Sequence, residues 1–154
     1  MTGARGFTMT ELIVVTAIIA ITVGVSIPTL WTYYQSAALR GAAERTVSLL
    51  NGARSLAIRQ NTTVCVTVDT TGMQYHQGTC SAAAYTGTGT DSSGYMTLES
   101  GITLSGTSNL CFSYLGAGVA TPSPCVSSGT LTITRSQGGS TTVVMASTGR
   151  VRIQ

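Results

Sequence analysis

The chain contains no lysine, and all eight of its basic residues are arginine. Acids are also sparse: Glu11, Glu44, Asp69, Asp91 and Glu99, with none after Glu99. The last third therefore holds Arg135, Arg150 and Arg152 with no acid to offset them. Such asymmetry bears on association and solubility, not on fold. There is one histidine, His76, and no C-x-x-C. Zinc sites draw on closely spaced Cys/His pairs, so the spacing argues against a metal centre, and no cofactor is expected. A G-x-S-x-G elbow and a close carboxylate pair are both missing. Nucleophilic and hydrolytic catalysis then lack a framework, no enzyme is expected, and His76 reads as a solvated strand residue. The glycines of TGTGTDSSG, residues 86–94, do not have the G-x-G-x-x-G spacing, so they read as a flexible loop without a phosphate role.

Eighteen glycines and abundant Ser and Thr in 154 residues fit one β-rich, loop-rich extracytoplasmic domain behind an N-terminal apolar run. The cysteines are Cys65, Cys80, Cys111 and Cys125. An even count at wide spacing, behind an export signal, points to disulfides in an oxidising compartment. Four cysteines allow three connectivities. Local pairing is expected: Cys65 with Cys80 around a hairpin, and Cys111 with Cys125 around a loop containing Pro122 and Pro124.

The apolar run starts at Phe7 and reads LIVVTAIIAITVGVSI from Leu12 to Ile27 without a charge. A secretory signal would follow it with a small-residue cleavage site, but PTLWTYYQ offers none. A plain transmembrane anchor fits its length, since roughly 20 residues span a bilayer. That reading leaves Glu11 unexplained, because a charge near the middle of a bilayer helix costs roughly 2.5–3.5 kcal/mol on insertion scales.

Gly6-Phe7-Thr8-Met9-Thr10-Glu11 followed by the apolar run resembles the class III signal of type IV pilins and pseudopilins. The resemblance implies that a prepilin peptidase cuts after Gly6 and methylates Phe7, leaving residues 1–6 as a leader. Glu11 and Pro28 then fall at the family's positions for an assembly acid and a helix-kinking proline. It further implies that Glu11 pairs with the N-terminal amine of a neighbouring subunit in a filament. The physical reason is that a carboxylate in an apolar bundle needs a charge partner. The implied location is the inner membrane, by a single pass, before assembly, then the periplasm and a surface pilus.

A helix is expected over residues 7–59, of which 7–27 form the transmembrane and assembly part. Pro28 predicts a kink near Ile27. Trp31, Tyr33 and Tyr34 read either as a membrane-interface belt or as packing against the domain. Leu39, Ala42, Ala43, Thr46, Leu50, Ala53 and Ala57 recur at steps of three and four, a stripe facing a core. Asn61 can take the left-handed conformation and stop the helix.

From Thr62 to the end, residues 62–154, the pattern turns to strands. Val64, Val66 and Val68 alternate with polar residues, and the turn at 69–72 leads to a second run, 73–77. Residues 95–104 hold a strand pair or one bent strand, and residues 110–115 another strand. Residues 130–134 and 140–146 pair across Gly138-Gly139, and 151–153 form a short terminal strand. In that strand Val151 and Ile153 are expected to face the core, with Arg150 and Arg152 projecting outward together, about 7 Å apart at strand rise. Arg135 lies on a neighbouring run, and the pattern does not fix whether it shares that face.

Residues 59–64, their continuation through Tyr75 to Gly78, and the ending GTLTITRSQGGSTTVVMASTGRVRIQ resemble the GspH/FimT branch of the family. Tyr75 departs from it, since Trp is expected there. The fold implied is α+β and type IV pilin-like, a long N-terminal helix packed on antiparallel sheets. The function implied is that of a FimT-type minor pilin, with a GspH-type pseudopilin of a type II secretion system as the alternative. The ending Gly149-Arg150-Val151-Arg152 favours FimT. FimT-type proteins sharing this ending bind DNA, which implies double-stranded DNA, bound without sequence preference, as a partner beside other pilins in the filament. Arginines bind phosphates bidentately, whereas arginines on an edge strand also serve to block edge-to-edge pairing. The mature chain is expected to begin at Phe7 with an N-methyl group. N-terminal sequencing or intact mass of material from the native host checks this, and a start at Met1 or beyond residue 28 contradicts it.

Overall fold

The computed structural model describes residues 7–87 and 89–154, excluding the side chains of 28 and 29. The cut after Gly6 lies outside the described residues, as does the side chain of Pro28 on which the expected kink rests. Helix α1 runs Met9–Gln60, beginning two residues later than expected, and its backbone is helical through 28 and 29. The chain divides into two compact units, Met1–Ala37 and Ala38–Gln154.

In the first unit the helix starts at a side-chain cap. The Glu11 backbone N–H donates to Thr8 Oγ1 at 3.3 Å, and Glu11 sits in the first turn, where a negative charge suits the helix dipole. Thr-x-x-Glu is the sequence of a capping box, so Glu11 has a local role in starting the helix as well as any role between subunits. Beyond it the apolar side chains from Leu12 to Ile27, and that of Leu30, are exposed, and α1 is long and apolar enough to cross a membrane. The hydroxyls of Thr16 and Thr22 each donate to the carbonyls three and four residues back, and Ser26 to the carbonyl of Thr22. Trp31, Tyr33 and Tyr34 are all exposed.

In the second unit the stripe at three- and four-residue steps is buried: Ala42, Ala43, Thr46, Leu50, Ala53 and Ala57, joined by Leu56. Buried Thr46 satisfies its hydroxyl on Ala42 O at 2.9 Å. Off the stripe, Arg40 and Glu44 form an exposed ion pair at 3.2 Å. Asn61 ends the helix with φ of 50°. Its N–H bonds Ile58 O and that of Thr62 bonds Ala57 O, the two bonds of a Schellman motif.

Among the described residues eight strands follow: β1 (Val64–Asp69), β2 (Gly72–Gln77), β3 (Tyr95–Thr97), β4 (Ile102–Gly106), β5 (Leu110–Phe112), β6 (Gly129–Arg135), β7 (Ser140–Met145) and β8 (Val151–Ile153). They form two antiparallel sheets, β3-β2-β1-β5 (sheet A) and β4-β6-β7-β8 (sheet B). One core joins the helix stripe to both sheets, with Val64, Met73, Leu110 and Phe112 from sheet A and Leu104, Leu131, Ile133 and Met145 from sheet B.

Three expectations change. The segment 95–104 holds two strands, as one of the two readings had it, but they do not pair with each other. A turn at Gly101, with φ of 83°, carries the chain from β3 in sheet A to β4 in sheet B. The strand after 110 stops at Phe112, because Ser113 N–H bonds Ala117 O and turns the chain, leaving Tyr114 and Leu115 exposed. His76 is buried rather than solvated: the segment from Gly78 to Ala84 folds over β2, and the ring bonds Thr67 Oγ1 at 3.0 Å and Ala82 O at 2.7 Å. Within the 86–94 loop, Asp91 Oδ1 accepts from Ser93 N–H, Ser93 Oγ and Tyr95 N–H, so that end is organised. The Ser93 hydroxyl, then the Tyr95 N–H, hold the Asp91 carboxyl below its usual range.

Tyr75, at the position where Trp is expected, is buried and donates its hydroxyl to Leu49 O on α1, tying helix to sheet A. Burial raises its pKa well above the usual 10.0. The folded-state value lies above the unfolded one, so the neutral phenol stabilises fully below pH of about 10 and progressively less as pH rises beyond it. Tyr75→Phe should cost about 1 kcal/mol at neutral pH for the lost hydrogen bond. It should also flatten the loss of stability above pH about 10, as denaturant unfolding across that range would show.

Candidate functional site

Three places hold the residues singled out in the sequence. Glu11 is exposed in the first turn of α1, and Phe7, ahead of the helix, is also exposed. The cysteines and the arginines lie in the second unit.

The cysteine pairing is the local one, Cys65–Cys80 and Cys111–Cys125, with Cα separations of 5.1 and 5.5 Å. What spacing alone did not reveal is that the two bridges touch. Cys65 and Cys111 are register partners on β1 and β5, and His76 pairs with Cys65 from the other side. All four Sγ atoms lie within 4.8 Å of one another, with Cys80 Sγ 3.7 Å from Cys111 Sγ. As disulfide sulfurs they are not thiolate ligands, and a metal would need the reduced chain. The signal for the cluster was long-range strand pairing, which a single sequence does not display.

Arg150 directly precedes β8, the edge strand of sheet B, and Arg152 lies within it. Both are exposed. Val151 is half-buried against the core, as alternation requires, but Ile153 is 41% exposed. That corrects the expectation of a core-facing Ile153: the face parity holds, but at the edge of a sheet no further strand covers it. The register also places Arg135. Arg152 stands level with Val144 and Thr130, whereas Arg135 is five residues further along β6 and pairs with Ile102. An odd offset puts Arg135 on the opposite face, and five residues at strand rise separate it by roughly 17 Å along the sheet. The structure brings Arg150 and Arg152 together and leaves Arg135 out.

Gly149 sets the approach to these arginines. Its φ is 78°, and a Cβ there would overlap the Gly116 carbonyl oxygen. The turn from Ala146 to Arg150 thus seats on the turn that follows β5. Two hydrogen bonds close it, Gly149 N–H to Ala146 O and Ala146 N–H to Arg150 O. In this unit the cleft between α1 and sheet A, about 350 Å³, is lined by Ser48, Arg59, Tyr75 and Tyr85 among others, and it contains no nucleophile–base pair.

A long N-terminal helix on two antiparallel sheets is the type IV pilin-like fold, the architecture of minor pilins and pseudopilins. The family model described as type II transport protein GspH matches residues 42–149, so the chain belongs to the GspH family. The matched span ends at Gly149, just before the terminal arginines. Among solved structures, the type IV minor pilin FimU of Pseudomonas aeruginosa is similar at 17% identity and a TM-score of 0.55, over 79% of this chain and 92% of that one. The minor pseudopilin EpsH from the type 2 secretion system of Vibrio cholerae is similar at 17% identity and a TM-score of 0.55, over 75% of this chain and 95% of that one. No curated protein matches the chain by sequence. Subunits of this class are structural rather than enzymatic, and the apolar N-terminal helix fits a membrane-anchored one.

Gly149→Ala should destabilise the domain by on the order of 2–4 kcal/mol, because it combines a left-handed backbone with a backbone clash. Thermal unfolding of the variant beside the parent measures this, and an unchanged transition would contradict the close approach to Gly116.

Proposed function

We propose that the chain is a FimT-type minor pilin that captures double-stranded DNA through Arg150 and Arg152. In this reading the prepilin peptidase cuts after Gly6, Phe7 becomes the methylated N-terminus, and the subunit leaves the inner membrane for a pilus. There Glu11 pairs with the Phe7 amine of a neighbouring subunit. The observation that carries the DNA reading is the pair of exposed arginines at the edge of sheet B, in a region without an acid after Glu99. Two guanidinium groups on one edge contact successive phosphates and carry no base preference. Edge protection by the same arginines is compatible with this role but predicts no binding.

The second reading is a GspH-type minor pseudopilin of a type II secretion system. The family match and the EpsH-like fold favour it as much as the FimU-like fold favours a pilus. Deletion in the native host separates them, since loss of piliation or DNA uptake supports the first and loss of protein secretion the second.

DNA capture is tested with the full chain in an uncharged detergent, titrated against duplexes of unrelated sequence at low and high salt. Binding should be indifferent to sequence and weaken with salt. Arg150→Ala with Arg152→Ala should lower the slope of log affinity against log salt by about 2, at roughly 0.9 per phosphate contact. Binding that survives the double substitution unchanged, or a parent that does not bind at low salt, overturns the proposal.

A further inference from the structure

The register of sheet B fixes a grid on the face turned away from the core. Arg152 stands beside Val144 and Thr130. The next row is Thr142, Thr132 and Ser105, and the row beyond it is Ser140, Thr134 and Thr103. Rows are about 7 Å apart and strands about 5 Å apart. Every one of these residues is exposed or half-exposed, and the grid contains no acid. Seven hydroxyls, one valine and one arginine thus cover a sheet face that in a soluble domain ordinarily mixes charges of both signs.

Threonine favours strands, which explains why it sits there but not why the charges are missing. The hydroxyls are also little used by the fold. Thr103 and Ser105 reach carbonyls only at 3.3 and 3.5 Å, and Thr142 reaches Gln154 O at 3.4 Å. Those of Thr130, Thr132, Thr134 and Ser140 bond nothing among the described residues. An acid-free plane with four free donors and three held only at long distance, with cations at one edge, complements a polyanion whose surface offers acceptors only. Serine and threonine hydroxyls are regular donors to phosphate oxygens.

We propose that this hydroxyl face is the floor of the DNA site, on which the phosphodiester backbone of a duplex lies after Arg150 and Arg152 anchor it at the edge. The inference rests on the DNA reading above and adds which surface the duplex covers. Neutral donors release no counterions, so their share of the affinity does not change with salt, whereas the arginines' share does.

That difference supplies the test, again with the full chain in uncharged detergent and a duplex probe. Thr130, Thr132 and Thr134 changed together to Val remove three hydroxyls, while the strand preference and side-chain shape are kept. Affinity should fall at least about 5-fold with the salt slope unchanged, since one hydrogen bond is worth roughly 2- to 10-fold. Thr132→Glu should weaken binding further and make the loss smaller at high salt. Thr97→Val, on the edge strand of sheet A, should change nothing. If the parent binds and needs Arg150 and Arg152, yet the triple Val variant and Thr132→Glu bind as the parent does, the duplex does not lie on this face. The DNA reading then stands without it. If the triple variant unfolds, protection of the Thr132 and Thr142 resonances by the duplex in the parent decides the same question, and unperturbed resonances overturn the proposal. A parent that binds no DNA removes both.

Discussion

The domain depends on how closely α1 approaches its sheets. Four of the seven buried positions on the helix stripe are alanine, and Thr46 bonds back onto its own helix, so the packed face is almost flat. A flat face lets two sheets share one helix, and residues of both sheets then join the helix stripe in one cluster, with the disulfide sulfurs clustered apart from it. Larger side chains would push the backbone outward, and packed interiors absorb added volume poorly. Tyr75 uses this closeness: its ring lies against Gly52, where a Cβ would stand 3.2 Å from its hydroxyl, and that hydroxyl reaches the helix backbone.

Much of this was legible because it is local. Helical spacing marks Leu39 to Ala57, alternation marks Val64 to Val68, and Asn61 announces its own left-handed turn. The pairing of β6 with β7 across Gly138-Gly139 reads directly from two alternating runs. What was not legible is long-range. Nothing in residues 95–104 says that the two halves belong to different sheets, because both halves alternate, with Met96 buried in one and Ile102 and Leu104 in the other. The burial of His76 depends on a segment folding back over β2, and the touching disulfides depend on β1 and β5 becoming neighbours.

The arginines show both sides of that limit. Their side-by-side placement follows from a spacing of two, and their exposure follows from the position of β8 at an edge. The exclusion of Arg135 needs the full register of three strands, since only then does its face become fixed. The same edge explains Ile153, whose outward exposure is a consequence of where the sheet stops and not of its sequence pattern. The seat of Gly149 on the Gly116 turn links this edge to the segment held by Cys111–Cys125, so the terminal strand is braced by a bridge remote in sequence.

The hydroxyls of Thr16, Thr22 and Ser26 bond to carbonyls of their own helix. Their acceptors travel with them. A segment built this way makes no polar demand on what surrounds it, and its hydrogen-bond inventory is the same among lipid chains as among neighbouring apolar helices. Passing from one of those media to the other exchanges only dispersion contacts of similar strength, so the two environments are nearly isoenergetic for everything between Leu12 and Ile27. Glu11 stands one residue ahead of that stretch, and in the pilin role proposed for the chain the free-energy difference between the two media falls on it and on the positive charge that faces it.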